Sequence, residues 1–318
     1  MSVLIVGAGA TGGYIGAQLV AAGRDVRFLV HPRTLERLRA EGLRIQRGNE
    51  IDTVRVDAVT VAGLRGPYDL VVVAVRTDAV ESAVEDMHPA VGPQTRIVPI
   101  MNGMRHLSVL TGAFGRNAVL GAETRLAISL RTDGMIEEVA PGVQMEIGQL
   151  DGGESDILHR TAELLETGSI AVTVRRDIVA AMWEKFAFIT STAVLTCLVG
   201  DEIGPIVRAA GGIALARRVL DEVVSVAAAD GHTVSEAAHS GLDRQLTDPS
   251  STFGPSMFRD LRAGRPVEIA VLRDLADRAR AHQIATPLLD ASLVVVDVHN
   301  RHARDVADGQ HSGRGSGS

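Results

Sequence analysis

Apolar residues follow two rhythms along this chain, and the change between them divides it. Over the first half, short runs of branched apolar side chains alternate with helical periods. Val3–Val6, Val26–Val30 and Arg96–Met101 have strand length. Leu70–Val75 has no polar position at all, as expected of a parallel strand covered on both faces. Tyr14–Val20, Thr34–Glu41, Ala79–Met87 and Ile157–Thr167 keep a helical period. Leu43–Gln46 and Thr53–Val61 read as a hairpin or short strands. Val119–Ser129, Met135–Val139, Gln144–Ile147 and Ala171–Val174 read as further strands. This alternation predicts a doubly wound α/β domain over residues 1–174. From Asp177 onward strand-like runs become rare. Helices are predicted over Ile178–Leu198, Gly204–Asp230, Val234–Gln245, Met257–Ala263, Glu268–His282 and Pro287–His299. They make an all-helical second domain over 175–304. Residues 305–318, Gly- and Ser-rich toward the end, are expected to be a disordered tail. A helical domain behind a nucleotide domain predicts a ligand in the crevice between them.

Composition narrows the class. The 318 residues, 46% of them apolar, suffice for two ordinary cores. A net charge of −7 advertises no nucleic-acid surface. The single cysteine, Cys197, excludes an intrachain disulfide and fits a reducing cytoplasm, and its apolar neighbours predict an inert, buried thiol. The chain enters a strand at once, so no signal peptide is expected. Its longest uncharged stretch, Phe186–Gly200, falls short of the roughly 20 residues of a membrane helix and carries several hydroxyls. It reads as a buried helix, and no membrane partner is expected.

The first chemical signal lies between the first strand and its helix, in Gly7-Ala8-Gly9-Ala10-Thr11-Gly12-Gly13. In a GxGxxG turn the first glycine permits the tight turn, and the second lets the backbone approach a pyrophosphate. The third lets helix and strand pack closely. The helix N-terminus then offers N–H groups and a positive dipole end to phosphate. The alternative is a glycine-rich turn that binds nothing. The second strand ends in His31-Pro32-Arg33, where a site for NAD would place a carboxylate for the ribose hydroxyl. Arg33, helped by His31, suits a 2′-phosphate instead. The expected cofactor is therefore NADPH, unless Arg33 is only a solvated loop charge.

Other candidates stand at strand ends and on the later helices. Arg76 closes the Leu70–Val75 run and is either a cofactor contact or a surface charge. Asn102, before Gly103, is a donor and acceptor at the nicotinamide end, or a turn residue. Lys185 stands alone on an apolar helix, with Ile189, Thr192 and Ala193 on its face and no carboxylate among them. Apolar surroundings would lower its pKa and make it a better proton donor. A snorkelling lysine is the alternative. Ser256 follows Pro255 and suits the cap of the helix it starts. Glu268 follows Pro266 and suits the dipole of the helix it opens.

Together these segments resemble the ketopantoate reductase (2-dehydropantoate 2-reductase) family over about residues 1 to 300. The resemblance rests on Gly7–Gly13, Arg76, Asn102-Gly103-Met104, Trp183-Glu184-Lys185, Ser256-Met257 and Gly264-Arg265-Pro266-Val267-Glu268-Ile269, in this order and spacing. It implies a Rossmann domain with a helical C-terminal domain, NADPH-dependent reduction of a 2-oxo acid, and a place in pantothenate biosynthesis. It implies Lys185 as general acid, Glu268 on the nascent hydroxyl, Ser256 on the substrate carboxylate, Asn102 between cofactor and substrate, and Arg76 near the cofactor. Two departures matter. The family's asparagines one and two turns after the lysine are replaced by Ile189 and Ala193. The residues after Glu268-Ile269 also differ, with Ala270 and Arg273-Asp274 where the family shows Asp and Asn-Gly. Each lost amide would leave a polar substrate oxygen unpaired, at about 1–3 kcal/mol, or ~100-fold in affinity for the two. A substrate more apolar than ketopantoate is expected. A non-catalytic NADP-binding sensor or scaffold and an NADP-dependent hydroxy-acid dehydrogenase are the alternatives. Monomer and homodimer both stay open.

Overall fold

The computed structural model describes residues 1–312, and the chain divides into two compact units, Met1–Met182 and Trp183 onward. The first unit runs β1 (Ser2–Val6), α1 (Ala10–Ala21), β2 (Asp25–Leu29), α2 (Pro32–Glu41), β3 (Leu43–Arg47), β4 (Glu50–Val54), β5 (Asp57–Val59), β6 (Leu70–Val73) and α3 (Val80–Met87). It continues through β7 (Arg96–Pro99), α4 (Arg105–Phe114), β8 (Leu120–Leu130), β9 (Ile136–Gln149), α5 (Asp156–Leu165) and β10 (Ile170–Val174).

Five strands form an all-parallel sheet in the order β5-β2-β1-β6-β7. The order reverses beside β1, so β1 and β6 flank the topological switch point where such sheets bind ligands. The unbroken apolar runs follow from burial on both faces. Val3, Ile5 and Val72 face one core with Tyr14, Ile15 and Leu19 of α1. Leu4, Val6, Val71 and Val73 face a second with Ala83, Met87 and Leu110 of α3 and α4. A second sheet, β10-β9-β3-β4 with β8 on β9, carries the predicted hairpin as antiparallel β3 and β4. Two strands expected around Pro141-Gly142 are one, β9. The register on β8 shifts between Arg125 and Ala127, so a bulge absorbs the residues that read as a break.

The second unit continues α6 (Ile178–Val199), which starts in the first, and adds α7 (Ile203–Arg208), α8 (Gly212–Ala229), α9 (Glu236–Leu246), α10 (Ser256–Arg262), α11 (Ala270–Ala281) and α12 (Pro287–Ser312). The division therefore falls inside α6, later than the expected 174/175. The single helix expected over 204–230 is two. Gly211 turns at φ +83°, and a Cβ on Gly212 would sit 1.9 Å from the Ile206 carbonyl oxygen, so only this glycine pair makes the corner. Of the expected tail, residues 305–312 continue α12, and 313–318 lie outside the described residues. α6 is apolar and long enough to cross a membrane by length and composition, but 67% of that stretch is buried inside the protein, as a core helix.

Candidate active site

The glycine turn has the geometry its sequence implies. Gly7 leaves β1 at φ +96°, and a Cβ there would lie 2.7 Å from the Ala74 carbonyl oxygen at the end of β6. A Cβ on Gly12 would lie 2.2 Å from the Gly7 carbonyl oxygen and 2.9 Å from the Ala74 Cβ, so α1 packs here only as glycine. Gly9 differs: its Cβ would meet nothing within 4 Å. Gly9 caps α1 with no side chain, and the first bond of the helix runs from the Gly13 N–H to its carbonyl. The N–H groups of Ala10, Thr11 and Gly12 precede the helical ladder and are open to an external acceptor. Backbone donors, a dipole end and an unfilled side-chain position fit a pyrophosphate.

The other strand ends lie on the same edge of the parallel sheet. Beyond β2, His31 caps α2 through its backbone and is exposed. Arg33 is also exposed, and among the described residues it has no ion pair. No carboxylate stands at this strand end. Arg76, beyond β6, is exposed and pairs with Asp78 at 3.2 Å. Beyond β7, the backbone carbonyl of half-buried Asn102 accepts the Thr77 hydroxyl at 3.2 Å, which ties the ends of β6 and β7 together. Gly103 then turns at φ +81° into α4.

In the helical unit, α6 presents a window. Between Ala181 and Cys197 every residue is buried except Glu184, Lys185, Phe188 and Ile189. Lys185 is therefore half-buried, in the one part of this stretch that is not packed away. Glu184 accepts the Ser235 hydroxyl at 2.9 Å. Of the two positions expected to face substrate after the lysine, Ile189 lies in the window and Ala193 is fully buried. One turn along from Lys185, the Phe188 ring meets Phe253, with centroids 5.4 Å apart and planes tilted by 39°. Phe253 precedes Ser256 by three residues, so this ring pair brings the lysine's turn of helix beside the serine's loop.

Ser256 is the first residue of α10, exposed, and its hydroxyl makes no capping bond. The cap position belongs to Pro255. The capping alternative therefore fails. Glu268 does not open a helix either: α11 starts at Ala270, and the Glu268 carbonyl accepts from Val271 just ahead of it. The segment before Glu268 is anchored from α12. The buried Asn300 accepts the Val267 N–H at 2.7 Å and donates to the Val267 carbonyl at 2.9 Å. His299 bonds the Arg265 carbonyl at 2.8 Å. Sequence reading did not single out Asn300, Phe253 or Thr77. Thr77 had a positional clue, between Arg76 and Asp78. Cys197 is buried, and burial pushes its thiol up to about 12, which makes it inert as predicted. Among the described residues no group of three or more His, Cys, Asp or Glu could hold a metal.

Comparison with known proteins agrees with this arrangement. The sequence model described as Ketopantoate reductase PanE/ApbA matches residues 3–152, and its C-terminal counterpart matches residues 177–300. A 2-dehydropantoate 2-reductase of Mesorhizobium japonicum is 29% identical, over 93% of this chain and 97% of its own. An uncharacterized oxidoreductase of Bacillus subtilis, YkpB, is 28% identical, over 91% and 96%. Among solved structures, D-mandelate dehydrogenase with NADH and anilino(oxo)acetate superposes with a TM-score of 0.84, covering 96% of this chain and all of that one, at 16% identity, a likeness of fold.

Proposed function

The chain belongs to the ketopantoate reductase family, and from that premise we propose that it reduces a 2-oxo acid to the 2-hydroxy acid with NADPH. The observation that carries the reading is the window on α6: between Ala181 and Cys197 the helix is buried except where Lys185 lies half-buried with Glu184, Phe188 and Ile189. Bound NADPH supplies the hydride for C2 of the substrate. The N–H groups of Ala10, Thr11 and Gly12 would hold its pyrophosphate, where Gly9 leaves room for it. Arg76 and Asn102 stand at the next strand ends, beside the rest of the cofactor.

Lys185 hydrogen-bonds the substrate carbonyl oxygen and donates its proton as negative charge builds there. The carbonyl π bond breaks, an O–H bond forms, and the lysine is left neutral until it recovers a proton from water. The Ser256 hydroxyl, which no helix cap occupies, donates to the substrate carboxylate. Glu268 accepts from the new hydroxyl and fixes its direction. Preference for NADPH rests on Arg33, exposed and without an ion pair among the described residues, at a strand end that lacks a carboxylate.

The test follows NADPH consumption by absorbance over a panel of 2-oxo acids, and NADPH binding by fluorescence. Lys185→Ala should lose about 10²- to 10⁴-fold in turnover, the usual contribution of a general acid, with NADPH affinity nearly intact. Arg33→Ala should shift the ratio of NADPH to NADH efficiency toward NADH. Unchanged turnover in Lys185→Ala would overturn the assignment. So would tight NADPH binding with no 2-oxo acid reduced by the unmodified protein.

A further inference from the structure

We propose that Phe188 and Phe253 form the side-chain pocket of this site, and that the pocket takes 2-oxo acids whose substituent is a flat aromatic ring. The inference rests on the reading of Lys185 and Ser256 given above and names the substrate class for that site.

Four observations carry it. Phe188 and Ile189 share the α6 window with Lys185 and Glu184, so a molecule held by the ammonium also meets these two apolar side chains. Phe188 is in contact with Phe253 at 5.4 Å between centroids, inside the range of attractive aromatic pairs. Phe253 is 39% exposed, a large aromatic surface left uncovered only three residues from the serine assigned to the carboxylate. It is nevertheless held. Its N–H donates to the Ser251 hydroxyl at 3.2 Å, and its carbonyl accepts from Ile203 at 3.3 Å, so the ring stands on a fixed stretch of backbone.

Beside Phe253 lies an open cavity of about 670 Å³, with Gly254 and Phe258 in its wall. That size is within the range of small-molecule sites. A Cβ on Gly254 would lie 2.7 Å from the Phe258 ring, so the glycine lets this wall come together. The charges at the cavity are already engaged. Arg262 pairs with Glu202 at 3.5 Å, and Arg259 donates to the Gly254 carbonyl at 3.1 Å. Ser251 and Thr252 also line this cavity, but on the face beside Lys185 Ile189 offers no hydrogen bond where an amide would. A face that cannot pair a substrate hydroxyl gains little from one, whereas apolar bulk is rewarded by roughly 10- to 200-fold per well-placed methylene.

The experiment measures kcat/KM with NADPH for phenylglyoxylate, phenylpyruvate, pyruvate and ketopantoate, on the unmodified protein and on Phe253→Ala, Phe253→Leu and Phe188→Ala. Phenylglyoxylate or phenylpyruvate should exceed pyruvate by about 100-fold or more, following the discrimination an apolar pocket allows. Phe253→Ala should lower that aryl-to-methyl ratio by about tenfold or more, with the loss falling on KM for the aryl acid, and Phe253→Leu should fall between. Thermal melts accompany each variant. Should Phe188→Ala fail to fold, the partly exposed Phe253 still decides the matter. Equal rates for all four acids would overturn the proposal, as would an aryl preference that both Phe253 variants keep. Reduction of pyruvate or ketopantoate without the aryl acids overturns the pocket alone. Reduction of none, with NADPH still bound, removes the catalytic reading and the pocket with it.

Discussion

A methyl group added at Gly9 and one added at Gly12 should have opposite consequences. Gly9 sits at φ −75° and ψ −165°, an ordinary conformation for alanine, and its Cβ meets no atom within 4 Å. Gly9→Ala stiffens the unfolded chain, which favours folding by about 0.4–1 kcal/mol, and gives up a similar amount, about 0.5–1 kcal/mol, as a poorer helix cap. Stability should therefore hardly move. The methyl does, however, enter the space in front of the helix's first N–H groups. Losing one charge-assisted bond there costs about 1.5–3 kcal/mol, which is NADPH binding weakened about 10- to 150-fold. Gly12→Ala meets backbone instead, 2.2 Å from the Gly7 carbonyl oxygen. Neither Gly7 nor α1 can give by a full ångström without disturbing β1, so the cost is at least the ~1–3 kcal/mol of an overpacked core. Thermal unfolding without nucleotide, together with an NADPH fluorescence titration, separates the two. Gly9→Ala should melt like the unmodified protein and bind poorly, and Gly12→Ala should melt several degrees lower. If Gly9→Ala binds NADPH normally, the pyrophosphate does not approach that glycine and the cofactor geometry argued above is wrong.

Two further predictions concern the helical unit. His232 stacks on Trp183 with centroids 5.0 Å apart, and burial, with a contribution from Arg278, holds its pKa below the ordinary 6.5 against the pull of Asp230. Below about pH 6.5 the unfolded chain binds a proton that the folded one declines, so stability should fall as the pH drops through that window. His232→Gln should flatten this part of the profile of urea midpoint against pH, and an equally steep profile in the variant would assign the slope to other groups. Asn300→Leu strips both hydrogen bonds from Val267. It should cost about 2–6 kcal/mol, at ~1–3 kcal/mol for each buried backbone group left unpaired, whereas Asn300→Asp keeps an acceptor for the N–H and should cost less by thermal unfolding.

How far the sequence could be read depended on where the information for each feature resides. The roles of Gly7 and Gly12 belong to the backbone beside them, and their spacing alone disclosed them. The run from Leu70 to Val73 is buried on both faces and shows it at every position. The corner between α7 and α8 was hidden, because Ala209-Ala210-Gly211-Gly212 fits a helical period and the break arises from contact with the Ile206 carbonyl. In the site, a lone lysine on an apolar helix was conspicuous. Phe253 and Asn300 were not, since each takes its meaning from a partner far along the chain; for Asn300 and Val267 the separation is 33 residues.

Helical geometry sharpens the point for Ile189 and Ala193. At 3.6 residues per turn, four positions beyond Lys185 lie about 40° round the axis and eight lie about 80° round. Spacing made the two look equivalent, yet only Ile189 stays in the open window while Ala193 has turned into the packed interior. The two departures from the family pattern therefore act differently. At Ile189 a hydrogen-bonding group is missing from a surface beside the lysine, and its absence changes what can bind there. At Ala193 an amide would stand among buried neighbours and need partners of its own. The loss there is first a matter of packing, and the drier substrate side proposed above rests on Ile189, Phe188 and Phe253.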